Sequence, residues 1–328
     1  MRLGVCVSHC RTAVPTHTTV HLLAAALARG AQVRVIEAGE FEVDERGHIA
    51  ARAYVLDGVR PDCDDVAQVL AGGGASRRTI AADRLDVLVL RVNPIDTSVV
   101  AMAQLLAERG VLVLNSPFAM LRTTHKSWVA TLPPDVPRPR TLVTRSGSTA
   151  WAFAARERHG VVVKPARSCG GRGVAKLANR DEGEFEQRFR EAAMAGDGLV
   201  VVQGYLPAAA DGEKRLLWLD GALVGGYLRR RAPGEFRHNL KLGAQPAPCQ
   251  VTDGERAAVA SLSPHLAREG VWFAGIDVIG EHIIEVNVLN PGGAHFTTQF
   301  AGLPVGERLY DSLCARLGAH SLLSSATG

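Results

Sequence analysis

Two stretches of this sequence hold residue types that could do chemistry together. The first is VVVKPARSCGGRGVAKL at residues 161–177. An apolar run ends in Lys164, a polar loop follows with Ser168, Gly170, Gly171 and Gly173, and the chain turns apolar again. Glycines beside a lysine suggest a phosphate grip, because backbone N–H groups can approach an anion where no Cβ intervenes. The order is unusual. A P-loop places its lysine after the glycines and opens a helix, and a Rossmann loop also opens a helix. Here the lysine comes first and the segment after Gly173 is extended. The unit reads as strand, loop, strand, so the grip would come from N–H groups at a hairpin tip and lysines on strands. Taken alone, a glycine hairpin is more often a structural turn.

The second stretch is FAGIDVIGEHIIEVNVLN at 273–290. It reads as a tight hairpin. Centred on Glu281, it sets position 279 opposite 283 and Asp277 opposite Glu285, while Asn287 shares a face with Glu285. Three oxygen-bearing side chains thus converge in an otherwise apolar hairpin. Two close carboxylates repel unless a cation sits between them. Hard oxygen ligands beside a phosphate-bearing substrate indicate Mg²⁺, with Mn²⁺ as a substitute. A solvent-exposed polar face is the competing reading. Gly292 and Gly293 follow directly and could offer N–H groups to a reacting oxyanion, or form a plain turn. Between the two stretches lie Arg215, Arg231 and RHNL at 237–240, which includes Asn239. Cations and amides so placed suit phosphate transfer, although each in isolation is an ordinary surface residue.

The elements that must hold these residues follow from hydrophobic periodicity. Strands at 3–8, 31–37, 85–92 and 111–115 alternate with helices at 19–30 and 97–109, and residues 41–80 hold short extended pieces and a helix near 64–71. This spacing implies a parallel α/β domain over 1–120. It has no GxGxxG after its first strand, so no dinucleotide is assigned to it. A Pro-rich stretch at 132–139 leads into a small α+β unit over 121–200, with a strand at 141–144, helices at 149–159 and 181–194, and a strand at 200–206. Residues 201–328 open with a hairpin around Asp220-Gly221, a strong turn signal, and continue with helices at 252–269 and 305–317. The last ten residues, small and polar, read as frayed.

Composition bounds the class. The chain has 328 residues, 47% hydrophobic and 21% charged, which describes a folded protein too long for one core. The six cysteines are scattered with no CxxC pair, which argues against a zinc site or disulfide framework and suits a reducing cytoplasm. No apolar run approaches the roughly 20 residues that span a bilayer, and the N-terminus reads as a first strand rather than a signal peptide. Net charge of +4, without a basic stripe or interleaved aromatics, argues against nucleic acid. Of 37 Lys+Arg only five are lysine, among them Lys126 and Lys164. A chain this sparing of lysine keeps it where a compact ammonium on a flexible stem is needed.

Several blocks in order, VQGYLPAAADGEKR (202–215), RHNLKLGA (237–244), FAGIDVIG and IIEVNVLNP, resemble the ATP-grasp superfamily, and bacterial glutathione synthetase in particular. The resemblance runs over most of the chain and implies an ATP-grasp fold behind an N-terminal α/β domain. It makes Lys126 and Lys164 the lysines that reach ATP phosphates and residues 168–173 the glycine lid. Gln203, Tyr205 and Leu206 become the hinge that meets adenine, and Glu213 the ribose acid. Asp277, Glu285 and Asn287 are then the Mg²⁺ ligands, and Arg215, Arg231 and Asn239 contact the phosphate or acyl phosphate. The implied activity is ATP-dependent ligation of a small carboxylate to an amine through an acyl phosphate, without a side-chain nucleophile, so Cys169 is a loop residue. A dimer or tetramer is implied by the same resemblance alone. Three stretches depart from the glutathione synthetase pattern: SHCRTAVPTHTT (8–19), RVNPIDT (91–97) and LNPGGAHFTT (289–298). They flank the acceptor site and leave open an amide or peptide ligase acting on another substrate. A non-catalytic ATP-binding module is the reading from a different class, and a full set of lysines and metal ligands speaks against it.

Overall fold

The computed structural model describes residues 1–168, 171–178 and 181–326. Three sheets carry the chain. The first takes β1 (Arg2–Val7), β2 (Gln32–Val43), β3 (Ile49–Val55), β4 (Ser76–Ala81), β5 (Val87–Arg91) and β6 (Leu112–Leu114), in the order β4-β3-β2-β1-β5-β6. Strands β2, β1, β5 and β6 run parallel, as the spacing predicts; α1 (Thr18–Ala28) connects β1 to β2 and α3 (Thr97–Glu108) connects β5 to β6, while α2 (Cys63–Ala71) lies between β3 and β4. The expected all-parallel sheet is in fact mixed, because β3 and β4 add antiparallel to β2. Asp44 explains the reversal: its carboxylate accepts from Arg46 N–H and His48 N–H and closes the tight β2–β3 turn. Strand β5 is buried along its whole length, as an interior parallel strand covered on both faces must be.

After α4 (Pro117–Thr123) and α5 (Ser127–Ala130), a four-stranded antiparallel sheet is built from β7 (Thr141–Thr144), β8 (Val161–Pro165), β9 (Ala175–Leu177) and β10 (Val200–Gly204), ordered β7-β10-β8-β9. Helices α6 (Gly147–Ala154) and α7 (Glu182–Met194) cover one face, with Phe153, Phe185 and Phe189 in its core. Helix α6 starts earlier than its periodicity suggests because Ser146 caps it, accepting from Thr149 N–H. It also ends sooner, so that the chain can turn through Gly160 at φ 84° into β8. A Cβ there would stand 2.2 Å from Leu177 O, so only glycine fits.

The third sheet orders β11 (Glu213–Leu219), β12 (Ala222–Arg230), β13 (Gln245–Ala247), β14 (Phe273–Ile279) and β15 (His282–Asn287) as β13-β12-β11-β14-β15. Helix α8 (Asp253–Glu269), opened by a Thr252–Glu255 capping box, covers it. Asn115 ties this sheet to the first. Its Oδ1 accepts from Trp272 N–H and Phe273 N–H at 2.6 and 2.8 Å, and its Nδ2 donates to Phe273 O and Val288 O at 3.0 and 2.9 Å. The chain ends in α9 (Ala294–Ala301) and α10 (Val305–Ala326). The tail read as frayed is helical through Ala326. Val305, Leu309 and Leu313 bury themselves in the core shared with α1, and His320 Nε2 meets Gly110 O at 3.0 Å. Among the described residues no helix is long and apolar enough to cross a membrane.

Candidate active site

Between the four-stranded and five-stranded sheets lies a cavity of about 280 Å³. Lys126, Lys164, Ser168, Gly171, Gln203, Tyr205, Leu206, Glu213, Arg215, Asn239, Asp277, Glu285 and Asn287 line it together. These residues come from the glycine hairpin, the β10 hinge and the acidic hairpin, stretches far apart in sequence.

The acidic hairpin pairs Asp277 with Glu285, as counted. The expected facing of 279 and 283 does not occur. Ile279 pairs with His282 and Val278 with Ile283, across a turn with Gly280 at φ 58°. A bulge between Asp277 and Val278 takes up Ile284 and restores the carboxylate pair. Asp277 is 6% exposed. Its oxygens accept from Arg215 Nε at 2.6 Å, Arg215 Nη2 at 2.9 Å and Asn287 Nδ2 at 3.0 Å, and also from Arg229 Nη2. Burial alone would raise the Asp277 carboxyl, but the two guanidinium groups hold it below its ordinary value. Glu285 is more open and faces Lys126 Nζ at 3.7 Å.

The lysines reach the same cavity from two elements, Lys126 from the start of α5 and Lys164 from β8. Lys164, on β8, is buried. Its ammonium donates to Gln203 Oε1 at 3.1 Å and Ile284 O at 3.4 Å, and burial lowers its pKa. Lys126 Nζ donates to Ser168 O at 2.8 Å. Gln203 also donates from Nε2 to Thr141 Oγ1, so its side chain is engaged with Lys164 and β7 rather than turned to a base. Tyr205, next along, carries Lys176 Nζ 3.7 Å above its ring centre. Glu213 pairs with Arg229 Nη1 at 3.0 Å, and burial pushes its carboxyl up to about 7 against the pull of Arg229.

Some expected residues stand elsewhere. Arg231 lies past the end of β12, exposed, beside Asp211, Gly212 and Arg230. From the end of β12 it is Arg229 that lines the cavity, beside Arg215 of β11. Counting straight back from the Asp220-Gly221 turn misses it, because a bulge between Leu217 and Trp218 shifts the register and sets Arg229 opposite Glu213. Gly292 and Gly293 do not line the cavity. Gly292 O accepts from Arg215 Nη1 at 3.2 Å, and Gly293, at φ 132°, packs where a Cβ would meet the Tyr227 ring at 3.1 Å. Gly173 likewise packs on Pro165, at 2.9 Å from an added Cβ. Gly170 and Cys169 lie outside the described residues. Two further lining residues come from the RHNL stretch. His238 is buried with Nε2 on Ala209 O, and Arg237 Nη1 donates to Gly171 O at 3.0 Å.

The donor set tests whether a divalent cation fits. Among the described residues no group of three or more His, Cys, Asp or Glu could hold a metal. The candidate set is two carboxylates and an amide, all hard oxygen donors on adjacent strands facing one cavity. In kind they fit, with Arg215, Arg229 and Lys126 now supplying the positive charge beside them.

Residues 1–122 match the family model of the prokaryotic glutathione synthetase N-terminal domain, and residues 127–301 that of its ATP-grasp domain. The chain belongs to the prokaryotic glutathione synthetase family. It is similar to the glutathione synthetase of Synechococcus elongatus, 29% identical over 320 residues that cover 95% of this chain and 98% of that protein. It is 34% identical to that of Parasynechococcus marenigrum over 256 residues, 74% of this chain and 79% of that protein. Among solved structures it is similar to the D-alanine-D-alanine ligase from Coxiella burnetii, with TM-score 0.67 at 13% identity over 100% of this chain and 98% of that one. D-cycloserine synthetase DcsG gives TM-score 0.65 at 19% identity over 96% and 99%. At these identities the two structures establish the ATP-grasp fold. This family member is an ATP-dependent peptide or amide ligase of the glutathione synthetase-like kind, in a family that uses ATP and a divalent metal.

Proposed function

We propose that the chain activates a substrate carboxylate with ATP and joins it to an amine. A carboxylate oxygen attacks the γ-phosphorus and ADP leaves. The amine nitrogen then attacks the acyl carbon, loses a proton, and phosphate departs with that oxygen. The reading is supported chiefly by one observation: two lysines, Lys126 at the start of α5 and Lys164 on β8, and two carboxylates, Asp277 and Glu285, line one cavity. In this reading Lys126 and Lys164 meet the nucleotide phosphates beside Ser168 and Gly171. Adenine lies against the Tyr205–Leu206 hinge and the ribose against Glu213. Arg215, Arg229 and Asn239 meet the transferring phosphate, where fixed charge does most of the work. Asp277, Glu285 and Asn287 would hold Mg²⁺, or Mn²⁺, which supplies charge neutralisation on phosphate oxygens. The ATP requirement suits the cytoplasm.

The relatives' name supplies glutathione as one product. A second reading, a different acid or amine, is favoured by a specific observation. The three departing stretches meet in space: Arg91 donates from Nε to Thr19 Oγ1 at 3.1 Å and from Nη2 to Pro291 O at 2.9 Å, and Ala294 N–H donates to Thr18 Oγ1 at 3.1 Å. A screen of acid and amine pairs, γ-glutamylcysteine with glycine among them, tests both. ADP and phosphate should appear only when both partners are present. Release with neither, or silence across a broad panel, counts against a ligase.

A further inference from the structure

His125 and Ser127 bracket Lys126 in sequence, yet neither lines the cavity that Lys126 lines. They belong to a separate hydrogen-bonded path. Ser127 Oγ lies 2.5 Å from His125 Nδ1, and Ser127 N–H donates to the same nitrogen at 3.4 Å. A ring nitrogen that accepts from a backbone N–H carries no proton, so Nε2 carries it. Nε2–H donates to Asp197 Oδ2 at 3.2 Å.

Asp197 sits in the turn between α7 and β10. Its other oxygen accepts from Leu199 N–H at 3.2 Å, Leu199 O accepts from Ala166 N–H at 2.9 Å, and Ala166 O accepts from Lys126 N–H at 3.0 Å. The path closes on itself: Lys126, Ala166, Leu199, Asp197, His125 and back to Lys126. Ala166 directly follows β8, the strand that holds Lys164. The turn presses on the end of that strand, since a Cβ on Gly196 would stand 3.0 Å from Pro165 Cβ. Arg145 Nη2 donates to Asp197 O at 3.1 Å and secures the turn from β7's side. The ring therefore ties the backbones of both cavity lysines to one turn.

Serine, histidine and aspartate in contact are also the members of a hydrolytic triad. Here the serine oxygen is off the cavity, and the residue between serine and histidine is the one that reaches in. A lysine ammonium is a point charge on a flexible stem, so its placement depends on where its backbone is held. We propose that His125 is a positioning residue: anchored to Asp197, it fixes the Lys126 backbone against the strand of Lys164 so that the two ammonium groups act on one nucleotide together. The inference rests on the reading that these lysines meet ATP phosphates.

The test is binding of ATP with Mg²⁺ to the full chain by calorimetry, for wild type, His125→Ala, Asp197→Ala, Lys126→Ala and the His125→Ala/Lys126→Ala double variant. Adenosine is measured in parallel by competition. His125→Ala and Asp197→Ala should each weaken ATP about 10-fold, within the range that a small misplacement costs, and leave adenosine unchanged. In the Lys126→Ala background His125→Ala should add less than about 2-fold, because both changes remove one function. Equal losses for ATP and adenosine, or full additivity, would mean a merely structural role and overturn the proposal. Should His125→Ala fail to fold, the more exposed Asp197→Ala decides the same comparison, and wild-type ATP affinity in it rejects the clamp. If Lys126→Ala itself binds ATP as wild type does, the underlying assignment of Lys126 fails instead.

Discussion

Replacing Asp277 by asparagine should cost far more stability than replacing Glu285 by glutamine, although both carboxylates are candidate metal ligands. Asp277 is 6% exposed and accepts from Arg215 through both oxygens, from Asn287 and from Arg229. Asparagine keeps one acceptor oxygen and turns an NH₂ toward groups that are themselves donors. Removing one partner of a buried ion pair costs about 3–5 kcal/mol. Losing two charge-assisted hydrogen bonds at about 1.5–3 kcal/mol each gives the same range. The side chain of Glu285 is 30% exposed and faces Lys126 at 3.7 Å, a pair worth below about 1 kcal/mol. Urea unfolding without nucleotide, followed by tryptophan fluorescence, reports the difference, since Trp218 lies on β11 in the same sheet. Both variants should lose Mg²⁺-dependent turnover, but only Asp277→Asn should show a large drop in midpoint. Equal losses of stability, or less than about 1 kcal/mol for Asp277→Asn, would refute the claim that this carboxylate holds the two guanidinium groups in place.

Other outcomes follow from the same charges. Lys164→Met should leave the unfolding midpoint unchanged or raise it, because among the described residues no carboxylate stands within ion-pair distance of the buried ammonium, while ATP affinity falls at least about 10-fold; a destabilised variant that still binds ATP would contradict this. Arg229→Met should destabilise by about 3 kcal/mol and Arg231→Met by less than about 0.5 kcal/mol, read by denaturation, with turnover following the same order. Burial raises Glu213 to about 7 from 4.5, so the folded state binds its proton more tightly than the unfolded state. That contribution is complete below pH 4.5 and is lost as pH climbs toward about 7. Glu213→Gln should flatten the fall in stability across that window, and an unaltered slope would remove the assignment.

Much of this arrangement was legible in the sequence because period and turn chemistry are local. Lys164 ahead of a glycine loop follows from strands that alternate and turns that close at glycine, whereas Asp277 faces Glu285 only because a bulge offsets a turn one register away from the one counted. What was not legible came from single-residue irregularities and from long-range packing. One bulge in the β11–β12 pair sets Arg229 rather than Leu228 opposite Glu213, and another in the β14–β15 pair absorbed Ile284. A one-residue slip reverses every side chain beyond it, and nothing in the composition of a strand announces it. The C-terminal helix is stable because of the N-terminal core it meets, and its own small residues give no sign of that partner. Gln203 illustrates a third limit. The resemblance put it at the adenine hinge, and its Oε1 accepts from Lys164 Nζ, a contact visible only once β8 and β10 are side by side.

The most direct test of carboxylate activation is isotope transfer. With the acid and amine pair identified by the screen, the acid is supplied with ¹⁸O in its carboxylate and the released phosphate is analysed by mass. An acyl phosphate requires one ¹⁸O atom to move from acid to phosphate for each amide bond formed. Phosphate that emerges unlabelled while product accumulates would contradict the account.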